Sequence, residues 1–361
     1  MWGLNEYFWP GALQSLTPSG APLTHSPAFK PSLSQPSNEK LTIEGILREK
    51  GHRVITAGPQ APVLEVIRLL TAHDIGAVVV ADEENPVGGI LTERDILRLS
   101  AQDPLRLDSL SAGKAMSRPV LVAAPEDPVP LVMETMVSKR IRHLPVVDRE
   151  SLTGIVSMRD LVDAFRKIVE VETHSLKDYL KKFMGGSSPT LRRFFFGRRS
   201  EPDPSGGSGP AYAGIRLREI LSEKGKSVVT VSPGTPLLEV IQTLVEHEIG
   251  SAVVMEGGTV EGIVTERDTL RATAEDPSDL RSLEACDVMT GNLVVGDLDD
   301  GVAEAMDVMA RNSVRHLPVF RRDALEGIVS IRDVTEGLLK QVQAENHRLR
   351  DRIHGKLPSS P

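Results

Sequence analysis

Four places in the sequence put a hydroxyl and an aspartate three residues apart at the end of an apolar run. They are Thr92 and Asp95 in GGILTERDILR, Ser157 and Asp160 in GIVSMRD, Thr265 and Asp268 in GIVTERD, and Ser330 and Asp333 in GIVSIRD. Two kinds of chemistry suit that spacing. A Thr or Ser at a helix N-cap accepts a hydrogen bond from the N–H two or three residues on, and an acid at N3 bonds back to the cap. A carboxylate at a strand–helix join also accepts hydroxyl donors from a ligand. The vicinal diol of a ribose presents two such donors, each charge-assisted bond contributing ~1.5–3 kcal/mol. The hydroxyl and the free N–H groups of the helix start would meanwhile face a phosphate.

Three features go beyond what a cap requires. Capping boxes prefer Glu or Gln at N3, whereas all four copies carry Asp. A glycine stands three residues before each hydroxyl (Gly89, Gly154, Gly262 and Gly327), as if something needs close access to that backbone. An arginine precedes each aspartate.

Self-similarity defines the elements that must hold these residues. LLEVIQTLVEHEIGSAVV (237–254) restates VLEVIRLLTAHDIGAVVV (63–80), and RHLPVF (315–320) restates RHLPVV (142–147). A shorter repeat relates Gly89 to Gly154 and Gly262 to Gly327 by one common interval. Each short repeat begins with a β-rich stretch (HRVITAG) and continues into PVLEVIRLLTAHDI, with Val63, Val66, Ile67 and Leu70 at helical spacing. An apolar strand (GAVVVAD), a turn at Asn85-Pro86, a second strand (GGILT) and a helix (ERDILRLSA) follow. The pattern is β-α-β-β-α, four times. The two successive strands are expected to pair as a hairpin with both helices on one face. A unit of ~60 residues is marginal alone, so the units are expected to pair and leave clefts between them.

These residues and spacings resemble the CBS (cystathionine β-synthase type) domain family. The family's ribose-phosphate signature is a Gly, two apolar residues, Thr or Ser, two variable residues and an Asp; HDIGAVVV and RHLPVV are similar to its second strands. The resemblance implies an α/β (α+β) fold, with four β-α-β-β-α CBS units paired into two pseudo-two-fold Bateman modules. Module A is placed at 41–180, with units at about 44–100 and 112–168 plus a terminal helix. Module B is placed at 214–354, with units at about 217–273 and 285–341 plus a terminal helix. A Pro/Ser-rich disordered tail (1–40), a basic then Gly/Pro/Ser-rich linker (181–213) and a short tail (355–361) make up the rest.

By the same resemblance the modules would hold adenosyl compounds: AMP, ADP, ATP or S-adenosylmethionine. Asp95, Asp160, Asp268 and Asp333 would take the ribose, and Thr92, Ser157, Thr265 and Ser330 the ribose or phosphate. Thr56 and Thr230 match the family's common Thr in the first strand, where Val122 and Val295 stand in the second and fourth units. Arg142-His143 and Arg315-His316 precede second strands, where the family often turns a basic residue to phosphate; a surface arginine and a packed histidine are the plainer reading. Asp297, Asp299 and Asp300 would disfavour a polyphosphate in the fourth unit, so fewer than four working sites are expected.

Other residues read as structural. His73 and His247 suit helix C-termini, Met133, Met136, Met306 and Met309 suit a core, and Cys286 suits a small, partly buried position. Leu338, Val342 and Leu349 are spaced for a short helix-pairing seam. The linker stretch with Phe194, Phe195 and Phe196 reads as a tether with an option to touch an anionic surface.

Composition narrows the function. Net charge is −8 across 361 residues, which argues against a general nucleic-acid or anionic-membrane binder. No apolar run approaches the ~20 residues of a membrane span. Neither an early positive charge nor a run of arginines marks the first forty residues, so the cytoplasm is the expected location. No metal-ligand cluster, P-loop or nucleophile elbow stands out. The expected protein is a non-enzymatic, homo-oligomeric regulator that senses an adenosyl ligand and modulates a partner protein. A ligand-independent structural adaptor is the alternative, and an enzyme subunit stands behind both.

Overall fold

The computed structural model describes residues 42–165, 214–225 and 227–353, together with the short strand Gln14–Ser15 (β1). Each unit is built the same way. In the first, β2 (Thr56–Ala57) runs parallel to β3 (Ala77–Val80), which pairs antiparallel with β4 (Gly89–Thr92). The helix Val63–Ala72 makes the crossover that two parallel strands need. Its Val63, Val66, Ile67 and Leu70 are buried, as their spacing predicts.

The second unit uses β5 (Leu121–Val122), β6 (His143–Asp148) and β7 (Ser151–Ser157). β6 and β7 form the hairpin, and β5 pairs with β1 and approaches β6 through the Ala123–Val146 bridge. The third has β8 (Thr230–Val231), β9 (Ser251–Glu256) and β10 (Thr259–Thr265); the fourth has β11 (Gly296–Asp297), β12 (His316–Arg321) and β13 (Ala324–Ser330). Registers equate the units residue by residue. Thr92 faces Ala77, Ser157 faces His143, Thr265 faces Ser251 and Ser330 faces His316, so all four hydroxyls end the same strand at the same level.

The described residues form two compact units. One comprises the described residues up to 164 together with 230–290; the other comprises the described residues from 165 to 229 together with 291–353. Within the first, the helices Glu93–Gln102 and Glu266–Glu275 pack together. Leu97 enters the core around Leu237, Ile241 and Leu244, and Leu270 enters the core around Ile67, Leu70 and Leu91.

Leading helices are exchanged between neighbouring units, which the repeat pattern does not reveal. The helix Ile43–Lys50, ahead of the first unit's strands, binds the second unit through Ile43 N–H to Asp127 O (3.0 Å) and Glu44 N–H to Pro125 O (2.7 Å). The turn Ala112–Ala115 docks back on the first unit through Ala112 N–H to Ala61 O (2.8 Å). Likewise Leu217–Lys224 docks near the fourth unit's first strand through Leu217 N–H to Asp300 O (3.0 Å), and Ala285–Val288 docks through Ala285 N–H to Thr235 O (2.9 Å).

This exchange explains the repeated glycines. A Cβ on Gly154 would stand 2.6 Å from the Leu47 side chain, and one on Gly327 2.6 Å from that of Leu221. Gly89 and Gly262 are filled in the same way by Met116 and Met289. Leu47, Met116, Leu221 and Met289 are the corresponding residues of the four leading segments. The glycines therefore do admit a close neighbour, as their spacing suggests, and that neighbour is the fold itself.

Other structural readings are settled here. His73 and His247 are helix C-caps, and Met133, Met136, Met306 and Met309 are buried. Cys286 is exposed rather than partly buried. Partial desolvation and the nearby Asp287 and Glu284 carboxylates push its thiol up. Asp297, Asp299 and Asp300 close a turn: Asp300 accepts from Asp297 N–H (2.8 Å) and Asp297 from Asp299 N–H (2.9 Å), while Arg218 pairs with Asp299. Those acids are thereby engaged locally. The last helix runs unbroken over Ile331–Ile353 with Leu338 buried; the side chains of Val342 and Leu349, the Phe-rich linker and the 169–180 extension lie outside the described residues. No helix among the described residues is long and apolar enough to cross a membrane.

Candidate functional site

At every strand–helix join the aspartate bonds back to the hydroxyl residue, and at the first, second and fourth the hydroxyl also accepts the aspartate N–H (3.4, 3.3 and 3.4 Å). Asp95 Oδ2 accepts Thr92 N–H (2.9 Å) and Thr92 Oγ1–H (2.7 Å), and Asp268 Oδ2 does the same for Thr265 (2.9 and 2.7 Å). Asp160 Oδ2 accepts Ser157 N–H (2.7 Å) and Oγ–H (2.8 Å); Asp333 Oδ2 accepts Ser330 N–H (2.7 Å) and Oγ–H (2.9 Å). Aspartate therefore performs the capping role usually given to Glu or Gln, and its presence is not by itself a mark of ligand binding.

The four joins differ in what holds the other carboxylate oxygen. Asp95 Oδ1 accepts from Ser117 Oγ (3.1 Å), and Asp268 Oδ1 lies 3.8 Å from Arg271. In the second and fourth units a lysine arrives instead. Lys50 Nζ donates to Asp160 Oδ2 (2.5 Å) and Ile155 O (3.1 Å); Lys224 Nζ donates to Asp333 Oδ2 (2.6 Å) and Ile328 O (3.2 Å). Among the described residues, Oδ1 of Asp160, of Asp268 and of Asp333 accepts no hydrogen bond. Neither lysine stands out by residue type or motif. Their signal was present, since each is the last residue of its leading helix and is followed by a glycine at positive φ, Gly51 (96°) and Gly225 (95°).

A hollow of about 270 Å³ opens beside Asp333, between the leading helix and the last helix. Lys224, Lys340, Ile215 and Ile220 line it, with Glu223 and Glu336 at its edge. Hydrogen bonds to Glu223 (2.7 Å) and then Glu336 hold the Lys340 ammonium above the usual lysine range.

Two of the arginines before the aspartates, Arg94 and Arg267, serve packing. Arg94 Nε donates to Glu266 (3.1 Å), and Arg267 Nε donates to Glu93 (3.0 Å), a reciprocal pair between the first and third units. Both glutamates are buried at helix N-termini, where the dipole favours a carboxylate. Arg142 also reaches Glu266. Burial opposes the charge on Arg142, but Glu266 and then Glu93 outweigh it and keep its pKa above the ordinary arginine value. Arg142 is thus a half-buried ion-pair residue rather than the surface arginine of the plainer reading. His143, Arg315 and His316 are half-buried at the hairpin ends beside Ser157 and Ser330. Thr56 and Thr230 are exposed on edge strands of their sheets, so neither stands within the joins.

A hydroxyl–Asp join repeated at one register in four hairpin units is also what a family comparison detects. The CBS domain profile matches residues 50–102, 112–167, 218–275 and 285–340, more than half of the chain. The chain belongs to the CBS-domain family. Among curated relatives, the CBS domain-containing protein CBSCBSPB3 of Arabidopsis thaliana is 23% identical over 343 residues, covering 91% of this chain. The chain spans 58% of that relative's length and 56% of that of CBSCBSPB2 from the same plant. Protein MJ1225 of Methanocaldococcus jannaschii is 25% identical over 252 residues, 68% of this chain and 73% of that protein. Its crystal structure shares the fold with a TM-score of 0.60 at 15% identity, over 79% of this chain and 96% of that one.

Proposed function

We propose that this CBS-domain protein is a non-enzymatic regulatory sensor of an adenosyl ligand, AMP, ADP, ATP or S-adenosylmethionine, acting in the cytoplasm. It would work as a homo-oligomer of modules at 41–180 and 214–354 and pass ligand occupancy to a partner protein. One observation carries the reading: Asp160 and Asp333 keep a carboxylate oxygen without a hydrogen-bond partner among the described residues, at joins the family uses for ribose. We infer two working sites, not four, because among the described residues a lysine reaches the aspartate at these two joins, whereas Ser117 engages the outer oxygen of Asp95 and that of Asp268, which also accepts no hydrogen bond, has Arg271 at 3.8 Å. The 270 Å³ hollow beside Asp333 approaches the ~300–1,000 Å³ usual for small-molecule sites. Signalling requires only that the ligand prefer one arrangement of the modules over another.

A thermal-shift panel of AMP, ATP, NAD(H) and S-adenosylmethionine tests the proposal. Ligand at 100 times its dissociation constant stabilises by ~2.7 kcal/mol. The sensor reading requires such a shift in the parent protein and its loss in the Asp160→Ala/Asp333→Ala variant. No shift by any of the four at millimolar concentration would favour the adaptor. Turnover of any of them by the purified protein would instead establish an enzyme.

A further inference from the structure

Hydrogen-bond capacity at the two lysine-bearing joins limits how a ribose can be held. A carboxylate offers about four acceptor positions, two on each oxygen. Asp160 Oδ2 already receives Ser157 N–H (2.7 Å), Ser157 Oγ–H (2.8 Å) and Lys50 Nζ (2.5 Å). Asp333 Oδ2 likewise receives Ser330 N–H (2.7 Å), Ser330 Oγ–H (2.9 Å) and Lys224 Nζ (2.6 Å). Each Oδ2 is filled, so an aspartate that takes both hydroxyls of a diol on its two oxygens is not available here. Each ammonium, by contrast, has three N–H donors. Two are engaged, by the aspartate and by Ile155 O or Ile328 O, and the third is left over.

We propose that Lys50 and Lys224 are ligand-binding residues that share the ribose diol with Asp160 and Asp333. One hydroxyl donates to Oδ1, and its neighbour accepts from the third N–H of the lysine. A donor set beside an acceptor fits adjacent hydroxyls, each of which is both donor and acceptor. The same arrangement is built twice, in the two compact units, from leading helices and joins that correspond in sequence. The inference rests on the sensor reading above and adds to it a second contact and a selection for ribosides over deoxyribosides.

The test is calorimetric binding of AMP, 2′-deoxy-AMP and 3′-deoxy-AMP to the full chain and to the Lys50→Met/Lys224→Met variant. Methionine keeps an apolar stem of similar length and removes the donors. In the parent each deoxy analogue is expected to bind about ten-fold more weakly, the size of one charge-assisted hydrogen bond. In the variant one of the two penalties disappears while the other, owed to Oδ1, stays. Lys50→Arg/Lys224→Arg, which retains donors, is expected to keep both and guards against a folding defect in the methionine variant. Both penalties unchanged in the methionine variant would overturn the proposal and leave the sensor reading standing. Failure of the parent to bind any adenine riboside would overturn both.

Discussion

Leu47 occupies the space in which a side chain on Gly154 would have to lie, 2.6 Å from the position of a Cβ. Leu47 comes from the helix ahead of the first unit, and Gly154 from the last strand of the second, so one contact fastens neighbouring repeats together. Gly154→Ala is expected to destabilise the protein by about 1–3 kcal/mol through overpacking. Leu47→Ala should relieve part of that cost in the double variant, and a double-mutant cycle in urea measures the coupling. Additive costs would show that the glycine is needed for something other than this contact.

Glu266 is buried between Arg94 and Arg142, so removing its charge takes from both guanidinium groups their ion-pair partner and leaves Arg142 the lesser support of Glu93. Glu266→Gln is expected to cost about 3–5 kcal/mol. Adding Arg142→Met should recover part of the loss, since one of the stranded charges is then gone. Equilibrium unfolding of the two variants is the measurement.

Asp127 links acidity to stability. Burial, opposed by the Ala124 N–H and assisted by Glu126, pushes its carboxyl up from the usual 3.8 to about 6. The folded protein therefore holds this proton more tightly than the unfolded chain does. Stability from this group is present below about pH 4 and is lost as pH rises through 6. Compared with Asp127→Asn, which does not titrate, the parent should lose up to about 3 kcal/mol between pH 4 and pH 7. Parallel unfolding curves for the two proteins at both pH values measure it; an unchanged difference would contradict the assignment.

The hydroxyls at the joins are caps first. Thr92→Ala and Ser157→Ala should each cost about 1 kcal/mol of stability, the usual value of an N-cap. Thr92→Ala should leave ligand affinity alone, because Asp95 has Ser117 on its outer oxygen. Melting temperature and AMP affinity, measured together, separate the two roles.

Much of this was legible in the sequence, because hairpins, crossover helices and caps are encoded within a few residues. Val63 to Leu70 showed a helix by spacing, and the four hydroxyl–Asp pairs marked the joins. The reasons behind the pattern were not legible. Gly154 looked like an access point because the Leu47 that fills it lies more than a hundred positions away. Arg94 stood out only as part of a pattern beyond capping, and Arg142 read as a surface or phosphate-facing residue, because Glu266, which binds both, belongs to another repeat. Lys50 was missed for the same reason: at the end of a leading helix it reads as an ordinary C-terminal cation, and only the exchange of helices brings it to Asp160.

The central claim is that Asp160 and Asp333, and not Asp95 and Asp268, hold the ligand. Isothermal titration of AMP into the full chain tests it by stoichiometry. Two molecules per chain are expected in the parent and in Asp95→Ala/Asp268→Ala, one in Asp160→Ala, and none in Asp160→Ala/Asp333→Ala. A stoichiometry that survives in the last variant, or that falls in Asp95→Ala/Asp268→Ala, would contradict it.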